Sequence, residues 1–167
     1  MRRMLKAASV LVAVPILAAC TSTPAGSDRV IRVCWQRLVT ETGTTCERCG
    51  MTQTEVRNAV NTLRRCLRPL HFEVALEETS MAPAAVARDT LQSNRVFVDD
   101  RPLEDWVGGR TGMSLCGSCC DYLGPGVQCR TVAVEGQTYE AVPADLIVRA
   151  GLLAAEAALA RRAARER

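Results

Sequence analysis

The sequence is poor in the residues on which most hydrolytic, nucleotide-dependent and nucleic-acid-binding proteins depend. Among 167 residues there is one histidine, His71, and one lysine, Lys6. No Ser/His/Asp set, phosphate loop or dinucleotide-binding glycine pattern can be assembled. Aromatic residues make up only 4% of the chain, and Trp35 and Trp106 read as packing residues. The formal net charge is +3. Arg2, Arg3 and Lys6 account for that excess, so the rest of the chain is near neutral and has no basic field suited to nucleic acid. No apolar run reaches the roughly 20 residues needed to cross a bilayer. The alanine-rich C-terminal stretch is interrupted by Glu156 and ends in Arg161, Arg162, Arg165 and Arg167.

What is present begins with an export signal. The positive residues Arg2, Arg3 and Lys6 precede an apolar stretch from Ala7 to Ala19, too short to span a membrane. It closes on Leu17-Ala18-Ala19-Cys20, which resembles the lipobox of bacterial lipoproteins. The resemblance implies cleavage before Cys20 and acylation of that cysteine. Two or more acyl chains anchor a protein durably, at about 0.8 kcal/mol per buried methylene. The expected organisation is a signal peptide over 1–19, lipidated Cys20 with a tether over 20–29, one domain over 30–160 and a basic tail over 161–167. The expected location is the cell envelope, on the extracytoplasmic side of a membrane, with membrane lipid as a partner.

Within the domain, Ile31, Val33 and Trp35 alternate with Arg32, Cys34 and Gln36, which predicts a strand over Val30–Val39. From Met51 to Leu67 the apolar residues Val56, Ala59, Val60, Leu63 and Leu67 share a helical face. Thr52 and Glu55 are placed for a capping box. A second strand is expected over His71–Glu77, a short helix near Pro83–Leu91 and a third strand at Arg95–Val98. An Asp99-Asp100 turn follows, with a short return at Arg101–Leu103. The glycine-rich stretch Gly108–Gln128 reads as irregular. Arg130–Val134 and Thr138–Ala141 form a hairpin around Glu135-Gly136, and a last helix starts with Pro143 in its first turn and runs through Leu146, Ile147, Ala150 and Leu153. Strands interleaved with helices indicate an α/β domain.

Chemistry is concentrated in the cysteines. Apart from Cys20 there are eight: Cys34, Cys46, Cys49, Cys66, Cys116, Cys119, Cys120 and Cys129. Cys34, in a buried strand, and Cys66, near an apolar helix face, read as packing residues. Cys46-x-x-Cys49 lies between a strand and a helix, the setting of a redox motif. A helix N-terminus there would stabilise the Cys46 thiolate as nucleophile, with Cys49 as the resolving thiol. Arg48 would add to that stabilisation and Glu47 would oppose it.

Strand, CxxC, helix, strand, helix, strand and turn occur in the order of the thioredoxin-like fold, which the chain resembles. Four segments carry a closer resemblance: Trp35-Gln36-Arg37-Leu38-Val39; Thr45 to Gly50; Ser93-Asn94-Arg95 with Arg101-Pro102-Leu103-Glu104; and Cys129-Arg130-Thr131 to Gly136-Gln137-Thr138-Tyr139. They are similar to the domain-of-unknown-function family numbered 2703, over Ile31 to about Ala155. The resemblance implies a mixed central sheet flanked by helices, with a cysteine-rich insertion before the last hairpin and helix. It implies no particular activity.

Two departures from a thioredoxin-like enzyme open other readings. No proline precedes the third strand, where the chain reads Gln92-Ser93-Asn94-Arg95. Gly50 also disfavours a helix that begins inside the motif, and Cys-x-x-Cys-Gly is equally the form of a metal knuckle. Cys116-x-x-Cys119 repeats the spacing. Cys46, Cys49, Cys116 and Cys119, with Cys120 or Cys129 as further donors, could therefore ligate zinc, copper(I), an iron–sulfur cluster, arsenic or mercury. That requires the fold to bring the two groups together. Three functions follow: thiol–disulfide oxidoreductase with a thiol/disulfide protein partner, binder of a soft metal or metalloid, and surface lipoprotein stapled by disulfides.

Overall fold

A computed structural model describes residues 29–167; the signal segment and Cys20 lie outside the described residues. The element order is β1 (Val30–Leu38), α1 (Glu47–Leu67), β2 (Glu73–Met81), α2 (Pro83–Val86), β3 (Arg95–Val98), β4 (Arg101–Pro102), α3 (Leu103–Val107), β5 (Arg110–Leu115), α4 (Gly117–Leu123), β6 (Gln128–Val134), β7 (Gln137–Tyr139) and α5 (Ala144–Arg165). Short 3₁₀ turns occupy Arg68–Leu70 and Thr90–Gln92.

Strand and helix alternate first, so β1 and β2 are joined across α1 and pair in parallel. β3 then runs antiparallel to β1, from Val33 opposite Val98 to Gln36 opposite Arg95. The four-stranded mixed sheet is ordered β2-β1-β3-β4. β1 is interior to it, which explains why its alternation is imperfect: Val33, Cys34, Trp35 and Gln36 are all buried. Asp99 and Asp100 make the β3–β4 turn with left-handed φ of 47° and 62°. Asp99 Oδ1 accepts from Arg32 N at 2.9 Å, and Asp100 pairs with Arg32.

A second, antiparallel sheet is ordered β5-β6-β7. The stretch Gly108–Gln128 is therefore not irregular: it contains β5 and α4. Glycine at Gly109 and Gly112 hid the strand. A Cβ at Gly112 would lie 2.8 Å from Thr131 Oγ1 across the β5–β6 pair, so the glycine permits the pairing it disguises. Glu135 and Gly136 turn β6 into β7 with positive φ at both positions, as the hairpin reading expects.

α1 and α5 pack on the sheets and supply much of the core. Val56, Val60, Leu63, Ile147, Ala150 and Ala154 are at most 1% exposed. Each such Val, Leu or Ile contributes roughly 1.5–3 kcal/mol by leaving water. The helices approach closely because Gly151 faces Leu63, whose Cδ1 would lie 2.5 Å from any Cβ there. The capping box at Thr52 and Glu55 does not form, because α1 has already started. Thr52 Oγ1 instead accepts from Val142 N at 3.1 Å, and Glu55 Oε2 accepts from Ala144 N at 2.9 Å. Both residues of α1 thus secure the start of α5.

Candidate thiol site

α1 begins at Glu47, inside the CxxC motif, with Cys46 in extended conformation as its N-cap. Gly50 does not delay the helix; its N–H bonds Cys46 O at 2.9 Å within the first turn. Upstream, Thr45 Oγ1 donates to Leu38 O at 2.7 Å and ties the motif to the end of β1. Cys46 and Cys49 consequently project into the core, 1% and 2% exposed.

The second group arrives from the other sheet. Cys116 caps α4, its N–H held by Val127 O at 3.0 Å, and the Cys119 N–H bonds Cys116 O at 3.1 Å. Both cysteines are buried. Cys129, on β6 opposite Ser114, is 3% exposed. The sulfurs of Cys46, Cys116 and Cys119 all lie within 4.8 Å of one another. Cys49 hydrogen-bonds Cys46, and Cys129 bonds Cys119 and interacts with Cys116. The fold thus brings both cysteine groups into one buried cluster of five thiols.

Arg48 fastens the two halves. It lies between Cys46 and Cys49, is 5% exposed, and donates through Nη2 to Leu115 O at 2.9 Å, one residue before Cys116. The same nitrogen pairs with Glu140 Oε1 at 2.9 Å. Glu140 in turn accepts from Ser114 Oγ at 2.7 Å. Where Arg48 was expected to stabilise the Cys46 thiolate, its charge acts instead on Cys129, and its bond to Leu115 O clamps the loop bearing Cys116 to the first turn of α1. Ser93, in the stretch before β3, has its Oγ 3.6 Å from Cys49 Sγ and accepts from Leu38 N at 3.0 Å.

The electrostatics separate the thiols into two sets. Hydrogen bonds from Cys119 and then Cys49 hold Cys46 far below the ordinary thiol range, against the cost of burial. Cys129 is lowered to about 7, chiefly by its bond with Cys119 and with a small contribution from the Arg48 charge. Cys49 is pushed up by the Cys46 thiolate and then by burial, and Cys119 by Cys129 and then Cys46. Burial raises Cys116. The cluster thus divides into two cysteines shifted toward the thiolate, Cys46 and Cys129, and three shifted toward the neutral thiol, Cys49, Cys116 and Cys119.

The remaining cysteines separate cleanly. Cys120 is half-buried beside the cluster, its Sγ donating to Cys116 O at 3.4 Å. Cys34 is buried in β1, 3.8 Å from Thr79 Oγ1. Cys66, expected to pack, is exposed: it follows Leu63 by three residues, but the α1 stripe passes from Leu63 to Leu67 and leaves it outside. The seven cysteines from Cys46 to Cys129 are free thiols. His71 is an exposed residue in left-handed conformation that closes the Arg68–Leu70 turn.

Two comparisons place the chain among known sequences. A family model described as "Domain of unknown function (DUF2703)" matches residues 31–151. An uncharacterized protein of Archaeoglobus fulgidus is 43% identical over 105 residues, covering 63% of this chain and 74% of that protein. No solved structure matches.

Proposed function

The chain belongs to the DUF2703 family, and we propose that it binds a soft, thiophilic metal or metalloid cation in the cluster of Cys46, Cys116 and Cys119. Cys49 and Cys129 are the reserve ligands. The observation that carries this reading is the mutual approach of three buried sulfurs to within 4.8 Å. In tetrahedral or trigonal coordination at about 2.3 Å per Zn–S bond, ligand sulfurs stand roughly 4 Å apart, so little movement is required. Thiolates are soft donors, and the absence of histidine or carboxylate from the group favours zinc, copper(I), iron–sulfur, arsenic or mercury species over hard cations. Of the three ligands Cys46 is already shifted toward the thiolate, whereas Cys116 and Cys119 each release a proton on binding.

Thiol–disulfide exchange is the second reading, favoured by one observation: Cys46 caps α1 with Cys49 beside it, in surroundings that lower the Cys46 thiol. A thioredoxin-like scaffold is consistent with the sheet order β2-β1-β3-β4 and its parallel β1–β2 pair. The 1% exposure of Cys46 weighs against this reading, since a protein disulfide must reach the attacking sulfur. In either case the domain acts from a membrane surface, held by acylated Cys20; the support is the Leu17–Cys20 motif. Among the described residues no helix is long and apolar enough to cross a membrane.

The test is metal content of the anaerobically purified full-length chain and its serine variants. Cys46→Ser, Cys116→Ser and Cys119→Ser should each reduce bound metal strongly, while Cys66→Ser leaves it unchanged. Full metal retention in all three cluster variants would refute the assignment.

A further inference from the structure

The thiol cluster occupies one end of the domain, and the chain enters at the other. β1 begins at Val30 opposite Glu73, the first residue of β2, and Arg29 Nη1 donates to Leu70 O at 2.8 Å. α1 starts at the thiols and closes at this entry end with Leu67, about 30 Å along its axis. α5 runs in the same direction as α1, since Ala144 N bonds Glu55 and Gly151 faces Leu63. Beyond that contact α1 has four more residues and α5 fourteen, so α5 overhangs α1 by about 15 Å. The β3–β4 turn completes this end, because Val98, the last residue of β3, pairs with Val33 near the start of β1. Arg161 of the overhang and Asp99 of that turn interact electrostatically.

This end is basic although the domain as a whole is not. Residues 29–167 hold eighteen arginines and seventeen acids, and ten of those arginines gather here against five acids, Glu73, Asp99, Asp100, Glu156 and Glu166. The remainder of the domain, with eight arginines and twelve acids, is correspondingly acidic. Strand ends contribute Arg29, Arg32 and Arg101, and the overhang contributes Arg161, Arg162, Arg165 and Arg167. α1 and the turn after it contribute Arg64, Arg65 and Arg68, which with Pro69 line a hollow of about 550 Å³. No acid lines that hollow: Asp100 pairs with Arg32 and Glu166 with Arg162, while Arg64 and Arg65 donate to the neutral acceptors Val74 O and Thr62 Oγ1. Two large apolar residues stand out among the arginines, Leu70 at 46% exposure and Leu159 at 39%.

Arginines interleaved with exposed leucines suit a surface that carries fixed phosphate charge over an apolar interior. Cys20 precedes Arg29 by nine residues, and nine residues span at most about 30 Å. With Cys20 acylated, the entry end is therefore held within reach of the lipid. We propose that this arginine-rich end docks on a membrane surface bearing anionic phospholipid headgroups. Leu70 and Leu159 enter the headgroup layer, and Arg64, Arg65 and Arg68 meet lipid phosphates at the hollow. α1 then sets the thiol cluster at the far end of the domain, about 30 Å from the lipid. The inference rests on the acyl anchor at Cys20 and is independent of what the thiols bind.

The experiment attaches the acylated chain to the outside of preformed vesicles, either of phosphatidylcholine alone or of phosphatidylcholine and phosphatidylglycerol in about equal parts. The readout is alkylation by N-ethylmaleimide, resolved for each cysteine by peptide mass. Cys66 is exposed and lies between Arg65 and Arg68, whereas half-buried Cys120 reports the thiol end. Each arginine near an anionic surface strengthens attachment about fivefold, so Cys66 should react at least ~5-fold more slowly on the anionic vesicles, with Cys120 unchanged. In about 0.5 M salt, where the screening length shrinks to about 4 Å, the protection should vanish. Arg65→Gln combined with Arg68→Gln, both at exposed positions, should remove most of it. Attachment to both kinds of vesicle with equal Cys66 rates would overturn the docking face and leave the anchor standing. Failure to attach to the neutral vesicles would remove the anchor and the proposal with it. Protection that also appears on neutral vesicles and rises with protein density would overturn the proposal by assigning the face to a second copy of the chain.

Discussion

Replacing Arg48 by methionine tests how the two halves of the thiol site are held together. The substitution keeps most of the buried stem and deletes the guanidinium. It removes the bond to Leu115 O at 2.9 Å, which a charged donor makes worth about 1.5–3 kcal/mol. It also removes the pair with Glu140, whose side chain is 55% exposed, so that contact is worth no more than about 0.5 kcal/mol. Against these losses, Arg48 Nη1 is buried with no partner among the described residues. Deleting it returns about 1 kcal/mol. The net expectation is a loss of about 1–2 kcal/mol, or roughly 1 M in the urea midpoint of the metal-free, reduced chain. Because the lost bond positions the residue before Cys116, zinc affinity by chelator competition should also fall about 10-fold, as for other outer partners of metal ligands. A midpoint within about 0.2 M of the parent, together with unchanged zinc affinity, would refute the clamp.

Other outcomes follow from the same structure. Gly151→Val would drive a side chain into Leu63, which is fully buried and cannot swing aside; a loss of about 1–3 kcal/mol is expected in denaturant melts. For the reduced, metal-free chain, Cys46 and Cys129 titrate below their unfolded values, so their contribution is complete above the unfolded thiol range near 9 and is lost as pH falls, for Cys129 through about 7. Cys49, Cys116 and Cys119 are raised, so their contribution is complete below that range and is lost above it. Stability should therefore climb from pH 7 toward pH 9 and decline beyond, and melts showing a steady fall across pH 7–9 would contradict these shifts. Cys20→Ser should move the protein from the membrane to the soluble fraction; continued sedimentation with membranes would remove the case for an acyl anchor.

The sequence pattern revealed the elements that obey a simple period. β1, α1, β3 and the β6–β7 turn were legible because Ile31-Val33-Trp35, Val56-Val60-Leu63, and the Asp99-Asp100 and Glu135-Gly136 pairs each carry one local signal. β5 was not, since Arg110-Thr111-Gly112-Met113 has neither an apolar alternation nor a side chain at Gly112. Its pairing is decided by β6 across the sheet. The start of α1 was also misjudged, because the preference of Gly50 for turns is weaker than the burial gained by turning Cys46 and Cys49 inward.

The site itself was half legible. CxxC spacing marked both cysteine groups, yet nothing in either spacing required them to meet. That meeting is a property of the tertiary fold, in which the second sheet sets α4 beside the start of α1. Cys129 was visible only as an optional donor, although its place two residues into β6 is what points it at Cys119. Arg48 was identified for its charge, whereas its larger structural role, the bond to Leu115 O, depends on an acceptor far away in sequence. Cys66 failed the opposite way: its spacing from Leu63 suggested burial that the turn of the helix does not deliver.

The most direct test of the thiolate-site account is X-ray absorption at the edge of whatever metal accompanies the full-length chain purified without oxygen or chelator. The account predicts close to one equivalent of a thiophilic element with a first shell of three or four sulfurs, at about 2.3 Å if the element is zinc. A metal-free chain that neither takes up zinc nor protects Cys46, Cys116 and Cys119 from alkylation, or a first shell of oxygen and nitrogen, would contradict it.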